Sequence, residues 1–252
     1  MPLSIPAGAV TALLLLSQAL LVTPLSGQEL GSTVGDPVPR MHAGLALGVA
    51  QPRGEFSEYV NLGGGILGFF RVNFDEHGLT SLRIHGGFLN YGNETQRVCL
   101  SATVGCRIEV DLTTSNNIVL LGLGPEIGIP VGAARVYGNA SVGLGYFVTD
   151  SRVGGTGDQE PFATTQNYSD GGFAWNTGGG IELSLGSIQR FPVALDFGLS
   201  YQGNGSREYL TRGGITDRAD GTIELDVKRS EADFLLWRIG VSVGIAAERS
   251  SR

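Results

Sequence analysis

The chain has 252 residues; 42% are hydrophobic, 16% charged and 40 are glycine, and 17 Lys and Arg stand against 24 Asp and Glu for a formal net charge of −7. That length suits one all-β domain with a real interior, but so few charges would coat a soluble barrel of this size poorly. The acidic balance argues against a phosphate-tracking groove, which needs clustered Lys and Arg, so nucleic acid is not an expected partner.

The first element is an apolar run, AVTALLLLSQALLV, followed by TPLSGQE. It reads as a cleaved secretory signal over residues 1–27, ending in small residues around Ser26 and Gly27. Lys and Arg are missing before Arg40, and Leu25 is a poor small residue at the third position before the cut. The alternative is an uncleaved anchor, for which the run is short. Gln28 stands where a lipoprotein would carry its acylated Cys, which excludes lipidation at that position. A polar segment, 28–39, leads into the main domain, 40–252.

Eight runs of period-two alternation follow, at roughly 40–50, 62–74, 79–91, 117–130, 135–149, 173–186, 192–203 and 233–246, and none has helical period. The connections alternate in length: QPRGEFSEYVN, then DEHG, then 92–116, then VGAA, then 150–172, then SIQRF, then 204–232. Every second connection is a tight turn. The spacing predicts an eight-stranded antiparallel up-and-down transmembrane β-barrel, with short turns and both termini at one rim and long loops at the other.

The two faces of the runs differ sharply. One parity carries Leu45, Ile66, Phe70, Ile84, Phe88, Leu121, Val142, Leu144, Trp175, Leu195, Phe197, Trp237 and Ile239, a set with no charged residue in it. The other is rich in Gly, Ser and Asn and holds Arg71, Arg83, Arg238, Glu126, Glu182 and Asp196. A Gly-rich face would be a poor solvent coat, whereas an apolar face turned outward matches a lipid belt. The six charges then face a narrow lumen, where low-dielectric enclosure should force them to pair, with Asn73, Asn139 and Asn176 meeting leftover donors and acceptors.

The region from about Arg40 to Ala246, with its eight runs, the segment QPRGEFSEYV after the first and the final run RIGVSVGI, resembles the small outer-membrane β-barrel family of Gram-negative bacteria, the porin-like and OmpA/OmpX-type barrels. The resemblance implies residence in the cell outer membrane, contact with its lipids including lipopolysaccharide, and delivery by the β-barrel assembly machinery. The final run looks like the family's assembly signal in Arg238, Gly240, Val243 and Ile245, but departs from it in lacking a terminal aromatic residue. Segment 28–39 is then periplasmic.

Cys99 and Cys106, in CLSATVGC, lack a second ligand pair nearby, so a local disulfide in an oxidising compartment fits better than a metal site, with two free thiols as the alternative. GVSVG at 240–244 matches a nucleophile elbow, but no His follows it and Ser242 falls within a strand run. GLGPEIG at 122–128 likewise continues into a strand, where a phosphate loop would need a helix. His42 and His77 lie at the short-turn end and His85 inside the lumen; none forms a catalytic or metal-binding pattern. The scattered loop acids, Asp158, Glu160, Asp217, Asp220, Glu224 and Asp226, lack calcium-loop spacing.

No cofactor is expected, and the expected role is structural or surface-interacting, carried by an extracellular ligand site in the long loops. The rivals are a narrow channel for small solutes and a barrel-supported lipid A-modifying enzyme.

Overall fold

The computed structural model describes residues 38–99, 106, 108–155, 160–189, 191–218 and 222–245. The signal reading and most of segment 28–39 lie outside the described residues, as do Asp158 and Asp220.

Alternating side chains and β-branched content build eight long strands: β1 (Met41–Pro52), β2 (Gly63–Asn73), β3 (Thr80–Cys99), β4 (Glu109–Val131), β5 (Ala134–Gly155), β6 (Ala163–Ile188), β7 (Phe191–Gly203) and, after the last connection, β12 (Phe234–Ile245). Each pairs antiparallel with its sequence neighbour, and β1 pairs with β12 from Met41↔Ile245 to Pro52↔Phe234, closing the barrel. Closure leaves no sheet edge through the barrel wall.

Short turns and chain ends share one rim. Asp75 shapes the β2–β3 turn: its carboxylate accepts from the backbone N–H groups of His77, Leu79 and Thr80 at 3.0, 2.9 and 2.6 Å and from the Thr80 hydroxyl at 2.8 Å. Those bonds, from Leu79 and Thr80 above all, hold its carboxyl well below the usual carboxylate range. Between β4 and β5 the turn is two residues long, and Gly132 takes the positive φ of 60° that so tight a hairpin demands.

The opposite rim corrects the sequence reading. The described residues of 92–116 and 150–172 are mostly strand, because β3 to β6 run 20, 23, 22 and 26 residues while β1, β2, β7 and β12 run only 11 to 13. Lipid imposes no apolar face above the belt, so TTSNN pairs across the sheet through polar side chains and carries no hydrophobic signal. Residues 204–232 also contain paired strands: β8 (Ser206–Tyr209) with β11 (Lys228–Glu231), and β9 (Ile215–Asp217) with β10 (Ile223–Leu225). A single helical turn, α1 (Phe56–Tyr59), interrupts the first long connection, where the sequence pattern predicts no helix.

Candidate functional site

The outer wall is a belt of apolar side chains. Leu45, Val142, Leu144 and Phe173 are 66, 58, 58 and 62% exposed, and Ile84, Leu121, Ile181, Trp237 and Ile239 are exposed beside them. Trp175 stacks on Tyr201 with ring centroids 5.5 Å apart on this face. A contiguous surface of this kind has a stable environment only in hydrocarbon, so the barrel spans a membrane.

Inside, side chains fill the lumen at two levels. Nearest the short-turn rim, the structure brings Arg71, Arg83, Glu126 and Glu182 into one cluster. Arg71 Nη1 donates to Glu126 at 3.0 Å and to Glu182 at 2.9 Å, and Arg83 Nη1 donates to the other Glu126 oxygen at 2.6 Å. Arg135 joins them through Nη1, at 2.8 Å from Glu126 and 3.3 Å from Glu182. The sequence reading misses Arg135, although its parity matches Tyr137 and Asn139, because it stands beside a turn where charge is ordinarily solvated. Asp196 and Arg238 form a second group at 3.2 Å.

Tyr137 links that second group. Its hydroxyl accepts from Arg238 Nη2 at 2.6 Å and donates to Asp196. Its ring lies 5.5 to 5.7 Å from the guanidinium carbons of Arg83, Arg135 and Arg238, and Arg83 stacks over Phe69 at 3.7 Å, so π faces share the stabilisation of these cations. Glycine makes the room: a Cβ at Gly180 would stand 2.8 Å from Tyr137 Cζ, and one at Gly198 would stand 2.7 Å from Arg238 Nη2.

The asparagines do not serve the charges as expected. Asn73 donates to the Pro39 carbonyl at 2.8 Å, and Asn139 and Asn176 belong to an amide chain of their own. His42 is buried at the short-turn end of β1, His77 is exposed in the turn, and His85 faces the lumen half-buried. Ser242 lies mid-strand, paired with Gly44 and Ala194.

Toward the long-connection rim the interior turns apolar, against the expectation of a lumen filled mainly by Gly and small polar residues. Leu67, Leu89, Ile118, Leu120, Phe234 and Leu236 are buried there. Phe56 from α1 packs edge-on against Tyr91, Phe147 and Tyr209 with centroids 6.0, 6.1 and 5.1 Å apart. Phe56 and Tyr209 come from connections, each 1% exposed, so the plug is assembled by loops folding down into the mouth. An aromatic residue inside the polar stretch QPRGEFSEYVN is the one available signal. Tyr91 donates to the Leu210 carbonyl at 3.1 Å, Gly213 N–H donates to Glu94 at 2.8 Å, and Glu208 N–H donates to Asp170 at 2.8 Å, which ties the last connection to β3 and β6.

Above the belt, β3 to β6 continue as a four-stranded sheet bearing Glu94, Arg97, Asp111, Asp150, Arg152 and Asp170. Cys99 and Cys106 are joined by a disulfide at its margin, with Cα atoms 4.9 Å apart.

No protein-family model matches the sequence and no curated protein matches it. Among solved structures the chain is similar to Neisserial surface protein A (11% identity, TM-score 0.42, covering 81% of this chain and 97% of that one). It is also similar to a major outer membrane protein from Thermus thermophilus (13%, 0.41, 80% and 98%) and to Ail, the attachment invasion locus protein of Yersinia pestis (16%, 0.34, 80% and 97%).

Proposed function

We propose that this chain is an outer-membrane barrel with a closed lumen, and that its work is done at the cell surface by the sheet of β3 to β6 and the folded connection 204–232. The observation that carries this reading is strand length. About 9–11 tilted residues cross a bilayer, whereas β4 and β6 have 23 and 26, so residues 109–117 of β4 and 163–172 of β6 stand beyond the belt. The surplus is organised by cross-sheet bonds such as Thr114 to Ser151 at 2.8 Å and Asn167 to Ser151 at 2.7 Å, and it presents a fixed surface. A rigid sheet loses little conformational freedom on binding, which favours recognition of a macromolecular partner.

In this reading the belt contacts outer-membrane lipids, including lipopolysaccharide in the outer leaflet, and the last strand, β12, is what the β-barrel assembly machinery engages. Replacing residues 94–114 by a two-residue Asn-Gly turn, which keeps the Asn93↔Ser115 pairing, tests the assignment. The shortened barrel should still insert and shift in mobility on boiling, while cells displaying it lose adhesion to host or abiotic surfaces relative to the full chain. Unchanged adhesion by an inserted, shortened barrel would place the function elsewhere.

A further inference from the structure

Between the ionic closure and the aromatic plug the lumen keeps a cavity with about 30 Å³ of free volume, and its polar lining includes Arg83, His85, Asn139, Asn176, Ser200 and Arg238. Among the described residues no carboxylate lines it. Two of the lining residues carry a buried atom with no hydrogen-bond partner, Ser200 Oγ and Asn139 Oδ1, and these residues are only 2 and 8% exposed.

The direction of the amide chain above the cavity is set by its far end. The Ala232 carbonyl can only accept, and Asn204 Nδ2 donates to it at 2.7 Å. Asn204 Oδ1 then accepts from Gln202 at 3.5 Å, Gln202 Oε1 from Asn176 at 3.3 Å, and Asn176 Oδ1 from Asn139 at 3.1 Å. Asn139 Oδ1 is therefore left as the free terminus, an acceptor in need of a donor.

Charge supplies the second argument. Among the described residues the lumen holds Arg71, Arg83, Arg135 and Arg238 against Glu126, Glu182 and Asp196, an excess of one positive charge. An unpaired charge in a low-dielectric interior is strongly destabilising. The two arginines at the cavity are also only partly engaged by side chains: Arg83 donates through Nη1, and Arg238 through Nε and Nη2.

We propose that the cavity is a binding site for one small monovalent anion of halide size. Arg83, Arg238 and the Ser200 hydroxyl donate to the anion, and one water beside it donates to the anion and to Asn139 Oδ1. The volume admits about two water-sized occupants, which matches that pair and excludes larger organic anions. The anion balances the lumenal charge and satisfies both orphaned atoms at once, whereas water alone would leave the excess charge in place. The site stands independently of the surface function, since it lies below the plug.

The test uses the full chain refolded and crystallised in sodium bromide. Anomalous diffraction should show a bromide peak within hydrogen-bond distance of Arg83, Arg238 and Ser200; density for water only, without an anomalous peak, overturns the proposal whether or not any variant folds. In solution, the unfolding temperature should rise with the logarithm of bromide concentration relative to sodium gluconate at equal ionic strength. Ser200→Ala should lose most of that rise, and an equal rise in the variant would place the bromide elsewhere.

Discussion

The Tyr137 hydroxyl on β5 accepts a hydrogen bond from Arg238 Nη2 on β12 at 2.6 Å, joining strands that are not neighbours in the barrel. The bond crosses the lumen, and the same hydroxyl donates to Asp196 on β7. Tyr137→Phe keeps the ring over the guanidiniums but withdraws the hydroxyl from both partners. Leaving buried groups short of a partner costs about 1–3 kcal/mol, and urea unfolding in detergent micelles should show a loss of that size. Asp196→Asn, which strips Arg238 of its counter-charge, should cost more, about 3–5 kcal/mol. If Asp196→Asn were the milder change, the Arg238 pair would not be what holds this level of the lumen.

Lipid contact is tested on the other parity. Leu195 pairs with Val241 and Leu183, and Val142 pairs with Leu123 and Trp175, all on the outer wall. Arg at either position near the bilayer midplane should destabilise the folded barrel by about 2–4 kcal/mol, and Phe74→Arg, at the short-turn rim, by about 0–1 kcal/mol. Unfolding titrations in lipid vesicles give both values; equal tolerance at all three sites would contradict the belt.

How far the sequence carries such arguments depends on where a solvent boundary imposes a pattern. In residues 135–148 lipid demands an apolar parity and the lumen a small polar one, so strand, register and facing are all legible. Beyond Asn117, going outward, most side chains of β4 are polar on both faces, the alternation fades, and the strand reads as loop. The site divides in the same way. Glu126 and Glu182 sit mid-run, where a charge on a small-residue face can only be lumenal. Arg135 follows a turn, and Phe56 enters the barrel from a connection, so in each case the environment is set by tertiary contacts that no local period records.

Acid should loosen the β2–β3 turn. Because Asp75 has its carboxyl lowered in the folded chain, its contribution is fully present above the unfolded value near pH 4 and is lost as pH falls through the lower folded value. The amides of Leu79 and Thr80 should therefore lose protection below about pH 4, measured as hydrogen exchange relative to the intrinsic rate at each pH, and Asp75→Asn should show low protection at neutral pH as well. An acid response in the variant matching that of the unmodified chain would assign the effect to another group.

Reduction should act locally. The Cys99–Cys106 bridge spans a sequence separation of 7, and a loop so short contributes at most about 2–3 kcal/mol by chain entropy. Dithiothreitol should speed proteolysis within 92–116 on whole cells while leaving the mobility shift on boiling intact. Loss of the folded band on reduction would mean that the bridge supports the barrel itself.

The two-level closure of the lumen is tested most directly by current recording in planar bilayers. With Arg71, Arg83 and Arg135 joined through Glu126 and Glu182 at one end, and Phe56, Tyr91, Phe147 and Tyr209 packed at the other, the purified chain should show no stable conductance, with at most rare flickering openings. Steady, nanosiemens-scale channels from the unmodified protein would contradict the closed lumen and assign the barrel to a pore.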